Sequence, residues 1–441
     1  MLMECYGMTG KISKDMVKVA VIIFAGKLLS LTANRYYISE FGINNEELNI
    51  FSYGLQIQNN VIQSLACAVS SIVLPCYLKI DKKEGHESAK RFADEMITFS
   101  AVAAFALMGF VGILSFVLPS FTGFTQKVLC RKAILLFLPQ MFISAVLIVY
   151  QGIAQALGAV WQSVLINLIG GVTVVLYTTV FSTRFGIYGL IFAFLLSRIV
   201  QLIMLVVISK KKGYSYKFTL NFKKSGVMGY IKKMLPSAVG AGVYQLNVFL
   251  CSTAVAVFFP LSVSVYTFVQ NIVFGIATAL AATVNTVTYP EISRYAANEE
   301  YKEAEKLIKN SVKQISLLGI PLVLLSFFFS QNIFEALSIT NSIVSEERYI
   351  LRGLCPCILL LVIKEITEKA SYALGDTKAF AVSSIVILAV SLLYGLLFFS
   401  TGVVAVSTAF SAGVFAGVAF LILKIKNKLW RAIKNKDIIF D

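Results

Sequence analysis

The feature that most constrains this chain is a succession of long apolar runs separated by short polar connections. A hydrocarbon layer about 30 Å thick takes roughly 20 apolar residues per helical crossing, and the backbone groups inside it have no water to pair with. Breaking the runs at charges and turn residues predicts twelve membrane helices. They lie at about 16–38, 49–78, 97–121, 133–158, 160–183, 186–209, 235–259, 262–290, 313–337, 349–374, 378–400 and 402–425. Of 441 residues 58% are hydrophobic and 14% charged, which leaves little chain for a soluble domain. The predicted fold class is therefore an all-α polytopic membrane protein, and a water-soluble enzyme is excluded.

A net charge of +16 would suggest a nucleic-acid partner in a soluble protein, but here the cations collect in alternate loops. Between helices six and seven Lys210, Lys211, Lys212, Lys217, Lys223, Lys224, Lys232 and Lys233 occur without an acidic residue. The first loop on the opposite face carries Glu40, Glu46 and Glu47. The positive-inside rule then predicts both termini in the cytoplasm and no nucleic-acid partner. One outer loop, with Lys127, Arg131 and Lys132, runs against the rule. The connections 79–96 and 291–312 mix both charge signs with apolar residues at helical spacing, which predicts amphipathic helices lying at the membrane surface. The N-terminus has no small-residue cleavage site after a short apolar core, so the first run is expected to stay as a membrane helix.

The chain repeats itself at half length. Pro75 and Pro290 end helices two and eight; Pro139 and Pro356 sit near the starts of four and ten; Ala156-Leu157-Gly158 closes helix four as Ala373-Leu374-Gly375 closes helix ten. Ala25-Gly26 and Ala241-Gly242 correspond in helices one and seven, at an offset of about 215–217 residues. An even number of crossings separates the halves, so two six-helix bundles related by a parallel internal repeat are expected, as in many transporters. The predicted organisation is a cytoplasmic N-terminus at 1–15, bundles at 16–209 and 235–425, a basic linker at 210–234 and a tail at 426–441.

Several ordered segments then resemble one family. Leu235-Pro236-Ser237-Ala238, Gln245, Asn247, Tyr266 and Tyr289-Pro290-Glu291-Ile292-Ser293-Arg294-Tyr295-Ala296-Ala297 look like the second-half signature of MurJ (MviN) lipid II flippases. Arg184-Phe185-Gly186-Ile187-Tyr188-Gly189-Leu190 and Tyr372-Ala373-Leu374-Gly375-Asp376-Thr377-Lys378 fit the same pattern, and the likeness runs from about residue 20 to 428. The surrounding superfamily also holds polysaccharide-lipid flippases and multidrug exporters of the MATE type. The resemblance implies a pair of bundles that alternate access to a central cavity in the bacterial inner membrane. It implies an undecaprenyl-pyrophosphate-linked saccharide such as lipid II as substrate, carried from the inner to the outer leaflet, and membrane lipids and cell-wall synthesis machinery as partners. The sequence also departs from the pattern. Lys27 and Ala33 stand where the family carries two cavity arginines in helix one, Asn59-Asn60-Val61-Ile62-Gln63-Ser64 replaces a charged stretch of helix two, and Val269-Gln270 falls at the expected arginine of helix eight. The residues nearest a sodium site known in some members are Cys251, Ser383, Ser384 and Ser391, so that site is not carried over.

A lysine at mid-helix costs about 2.5–3.5 kcal/mol on insertion scales, and the match of Lys27 to a family cavity position makes it the expected partner of a substrate diphosphate; snorkelling or pairing with a neighbouring acid is the competing reading. Amides in hydrocarbon should face protein or water, so Asn59, Asn60 and Gln63, with Gln245, Gln270 and Asn271, are candidate cavity residues, interhelical packing being the alternative. Gln245 and Asn247 lie roughly 200° apart on a helix, so at most one faces a cavity. In helix ten Lys364 lies over Glu368 and Glu365 over Lys369, which neutralises the charges internally. Four such residues in one crossing also suggest an aqueous vestibule, in which Glu365 or Glu368 takes up a coupling proton.

No G-x-x-x-x-G-K-[ST] loop exists, and a single His86 in a polar loop removes the common metal-hydrolase and Ser-His designs. The seven cysteines lie mostly in apolar runs, and Cys355-Pro356-Cys357 reads as packing rather than as a metal site. No cofactor, metal or catalytic residue is expected. Three functions remain: a flippase of a lipid-linked cell-wall precursor, a cation-coupled drug exporter, or a non-transporting scaffold.

Overall fold

The computed structural model describes residues 10–219, 227–283, 288–336 and 344–440, all helical or in connecting turns. Among the described residues there is no strand, and nine helices are long and apolar enough to cross a membrane. The chain divides into two compact units, Met1–Leu235 and Pro236–Asp441.

The first unit holds α1 (Gly10–Phe41), α2 (Glu46–Glu84), α3 (His86–Phe121), α4 (Lys127–Ala156) and α5 (Val160–Lys211). α2 and α3 pack on α4, α4 on α5, and α5 on α1. The Asn45 side chain caps α2 by accepting from the Glu47 N–H at 2.8 Å, and the two acidic residues of the first turn complement the helix dipole. A core of Val73, Phe92, Met96, Leu147, Tyr150, Ile153 and Tyr214 binds α2, α3, α4 and the chain after α5. The 79–96 segment differs from the expected separate surface helix: α2 and α3 both run on past the apolar stretch and meet at one residue, Gly85, at φ +87°. A positive φ at that corner favours glycine, and it replaces the loop. Helices five and six are likewise joined without a loop, inside α5 at Gly186 (φ 54°, ψ −142°).

After α5 the chain is latched back onto α3. Buried Asp94 accepts from the Tyr214 hydroxyl at 2.7 Å and the Lys217 N–H at 3.1 Å, and Thr98 shares a 2.9 Å bond with Tyr216. At the other end of the unit the Glu46 carboxylate accepts from the Thr125 hydroxyl and from the N–H groups of Thr125 and Gln126, tying the α3–α4 connection to α2. The disagreeing cations belong to this end. Arg131 lies 3.5 Å over the Phe116 ring, and Lys127 and Lys132 line a groove with Glu47, Gln126 and Tyr188.

The second unit contains most of α6 (Val227–Phe258), then α7 (Val263–Thr283), α8 (Tyr289–Ala297), α9 (Tyr301–Phe328), α10 (Ser330–Ala336), α11 (Val344–Leu354), α12 (Cys357–Ala373), α13 (Thr377–Leu397) and α14 (Val403–Phe440). The predicted 349–374 helix is two elements, because Pro356 cannot donate a backbone bond and α12 starts after it. The 291–312 stretch is also divided, between short α8 and the start of α9. α13 and α14 pack closely: a Cβ added at Gly413 would meet the Ser391 hydroxyl at 2.0 Å and the Ile387 carbonyl oxygen at 2.6 Å.

Candidate functional site

The charged residues of helix ten form a defined cluster in the second unit. The Lys364 ammonium lies 3.0 Å from one oxygen of Glu368, and the Tyr372 hydroxyl donates to the other at 3.1 Å. The helical i, i+4 spacing from 364 to 368 to 372 stacks these three side chains on one face of α12. The Lys364 and Glu368 side chains are only 9% and 13% exposed. Rings from two other helices close over the ammonium: Tyr244 of α6 at 4.5 Å and Phe380 of α13 at 4.7 Å. Such desolvated cation–π contacts are worth up to about 2 kcal/mol. Glu365 and Lys369 form a looser pair at 3.7 Å, with the Lys369 ammonium 5.6 Å from the Tyr289 ring. The Lys–Glu pairings are visible in the spacing; Tyr244 and Phe380 are not, since nothing local to residue 244 or 380 marks them as walls of a lysine cage.

The amides are distributed differently. Asn59 and Gln63 are exposed on α2, while Asn60 is buried. Their neighbours Gln56 and Gln58 are buried, and Gln58 accepts from Gln140 of α4 at 3.2 Å, an interhelical bond. On α7 Gln270 is buried and Asn271 exposed. On α6 Gln245 is half-buried, whereas Asn247 is 1% exposed and has no partner for either amide atom among the described residues. Within each unit the candidate amides divide between buried and exposed positions. The side chain of Lys27 lies outside the described residues. Arg198 of α5 donates to the Gln201 side-chain oxygen at 3.0 Å.

The cysteines fit a packing role. The thiols of Cys76, Cys130, Cys251, Cys355 and Cys357 are free, Cys357 lies 3.2 Å from the Ser411 hydroxyl, and Cys355 donates to the Arg352 carbonyl at 3.3 Å. Among the described residues no group of three or more His, Cys, Asp or Glu could hold a metal ion. His86 lies 3.0 Å from Asp81.

Long apolar helices, two compact units and a charge cluster enclosed within one of them define a polytopic helical membrane protein. Comparison with solved structures supplies the fold's relatives. A lipid II flippase MurJ in an inward closed conformation matches with a TM-score of 0.77 at 18% identity, covering 96% of this chain and 91% of that one. An inward-facing multidrug resistance MATE family transporter of the MOP superfamily matches with a TM-score of 0.71 at 14% identity, covering 94% and 99%. A family model described as lipid II flippase MurJ matches residues 42–440, and the chain belongs to this family of flippases, which are transporters and not enzymes. Among curated relatives, a probable lipid II flippase MurJ of Rickettsia prowazekii is 22% identical over 382 residues, 82% of this chain and 73% of that protein. One from Borreliella burgdorferi is 20% identical over 334 residues, 72% of this chain and 63% of that protein. The chain therefore spans roughly two thirds to three quarters of the length of these relatives.

Proposed function

We propose that this chain flips a lipid-linked cell-wall precursor, lipid II or a related undecaprenyl-pyrophosphate saccharide, from the inner to the outer leaflet by alternating access. The observation that carries this reading is the family match across 42–440. The protein would sit in a bacterial inner membrane with both termini cytoplasmic, the orientation favoured by the lysine-rich end of α5. Lys27 is the residue assigned to the substrate diphosphate, as a point charge in helix one. Asn59, Asn60, Gln63, Gln245, Gln270 and Asn271 supply hydrogen bonds to sugar and phosphate oxygens, Asn59, Gln63 and Asn271 being the exposed ones. Cell-wall synthesis machinery is the expected protein partner.

Depletion in cells, followed by leaflet-specific labelling of the precursor, tests this function. Loss of outer-leaflet precursor is expected, and unchanged outer accessibility overturns the reading. Replacing Lys27 by Ala separates a flippase from a scaffold, since only the flippase should fail. The likeness to a MATE transporter supports an exporter reading at the level of fold alone; dye efflux that follows expression of the chain would favour it.

A further inference from the structure

The three cations that run against the positive-inside rule, Lys127, Arg131 and Lys132, have no part in the function proposed above. They gather at the start of α4, beside the groove that Lys127 and Lys132 line. We infer that this groove binds the phosphate headgroup of an anionic phospholipid, in the leaflet that this end of the first unit faces.

Cations are costly at this place. All three lie in the first two turns of α4, whose first turn has no acidic residue, and the positive end of the helix macrodipole disfavours them there. The groove also sits at the far end of the crossing Phe185–Lys211 from Lys210 and Lys211, on the face where positive-inside patterning predicts few cations. The repeat does not ask for them either. The corners closing α4 and α12 are built alike: Leu157 and Leu374 each donate to the carbonyl four residues back, at 2.9 and 3.0 Å, and Gly158 and Gly375 have φ +80° and +75°. Displaced from Gly158 to Gly375, Lys127, Arg131 and Lys132 correspond to Val344, Arg348 and Tyr349, and Leu129 and Cys130 to Glu346 and Glu347. Three cations without an acid in one unit thus answer one cation with two acids in the other. A bound anion offsets the cost of the three.

Charge and depth select the ligand. The groove has a volume of about 550 Å³, within the range of small-ligand sites. Glu47 is its one acid among the described residues. The neighbouring Glu46 has both carboxylate oxygens engaged by Thr125 and Gln126. The cations, by contrast, meet neutral partners or water: the Lys127 ammonium donates to the Thr122 carbonyl, Lys132 is exposed, and Arg131, one turn along from Lys127 on the same face, lies over the Phe116 ring. Three cations exceed Glu46 and Glu47 by one charge, which one phosphodiester matches. Two candidate crossings, Lys127–Ala156 and Phe185–Lys211, begin in the walls of the groove, and a third, His86–Phe121, ends shortly before them in the chain. That is the depth at which acyl chains give way to headgroups. Val128 and Phe185, both in the groove wall, are 68% and 57% exposed. A soluble anion has no use for such a rim, whereas a phospholipid meets it with its chains as its headgroup meets the lysines. So seated, the headgroup ties the α3–α4 connection, α4 and the bend of α5 at Gly186.

The test puts a reporter in the groove wall. Tyr188→Trp, combined with Trp161→Phe and Trp430→Phe, leaves one indole in the full chain. This protein is reconstituted in phosphatidylcholine vesicles with rising fractions of phosphatidylglycerol carrying brominated chains, and brominated phosphatidylcholine is the reference. Bromine quenches an indole on contact, so quenching reads which lipid occupies the site. Phosphatidylglycerol should be preferred about fivefold for each lysine and about 25-fold for the pair, and salt should weaken the preference. Lys127→Gln with Lys132→Gln should abolish it, Lys127→Arg with Lys132→Arg should keep it, and Lys210→Gln with Lys211→Gln, at the other end of α5, should leave it unchanged. Equal quenching by the two lipids before any lysine is changed overturns the inference, whether or not the lysine variants fold. A preference that outlasts Lys127→Gln with Lys132→Gln overturns it as well. Release of phosphatidylglycerol by inorganic phosphate, beyond that by chloride of equal ionic strength, assigns the groove to a soluble anion and overturns the lipid occupant. No lipid II enters the assay, so its outcome is independent of the flippase reading.

Discussion

Gly413 offers a sharp test of how α13 and α14 are packed. Alanine there would place a Cβ 2.0 Å from the Ser391 hydroxyl, 3.2 Å from the Ser391 Cβ and 2.6 Å from the Ile387 carbonyl oxygen. The hydroxyl can rotate away, but the carbonyl is backbone. Gly242, inside α6 of the same unit, has nothing within 4 Å of the equivalent Cβ. Both substitutions gain about 1 kcal/mol of helix preference, so the difference between them isolates overpacking, which costs about 1–3 kcal/mol. For a unit of about 200 residues, roughly 2–4 °C per kcal/mol puts Gly413→Ala about 2–12 °C below Gly242→Ala. Melting is followed in detergent by the reactivity of the buried thiols Cys251, Cys355 and Cys357. The Ser391 hydroxyl has no partner among the described residues, so Ser391→Ala removes one obstacle at little cost. Added to Gly413→Ala, it should recover less than half of the loss, because Ile387 remains. Equal melting of Gly413→Ala and Gly242→Ala would refute the packing argument; full recovery by Ser391→Ala would assign the clash to the hydroxyl alone.

Two further outcomes follow from polar contacts near the ends of the helices. Asp94→Ala should leave the Tyr214 hydroxyl buried without its acceptor, at a cost of about 1–3 kcal/mol; trypsin should then cut faster around Lys212 and Lys217, and an unchanged cleavage rate would count against the latch. Burial alone would raise the Glu46 carboxyl, but hydrogen bonds from Thr125 and Gln126 outweigh it and hold the group below its ordinary value of 4.5. A carboxyl lowered by folding contributes stability above its unfolded value and loses it as pH falls through the folded one. The protection of the Thr125 and Gln126 amides against exchange, relative to their intrinsic rates, should therefore fall in acid below about pH 4.5, and Glu46→Gln should abolish that response.

The membrane helices were legible because hydrocarbon imposes a length and composition that few other environments demand, and the repeat because prolines and glycines mark its corners. Lys364–Glu368 was legible for the same kind of reason, as it follows from helical spacing within one segment. The cage around it was not: Tyr244 and Phe380 come to Lys364 from 120 residues before and 16 after, and an aromatic residue in an apolar run carries no sign of what its face will meet. The helix expected at 79–96 is helical on both sides of Gly85 but belongs to the ends of α2 and α3, since its mixed charges suit equally a separate helix and the ends of two long ones, and only the backbone angle of Gly85 separates these cases. The amides of α2 show the limit of reading residue type alone, for Asn59 and Asn60 are adjacent and only one is buried.

Gly85 and Gly186 have a mechanical meaning as well. In the first unit, α2 turns into α3, and helix five into helix six, over a single glycine each, so these joints store no spare chain. A crossing helix that tilts cannot take up length from its connection; it must drag its neighbour or bend along its own axis. Pro119 in α3 and Pro139 in α4 interrupt the backbone ladder inside those helices and are the natural places for such bending. Lengthening either glycine joint by a few flexible residues would add slack, and with it a loss of leverage between adjoining crossings.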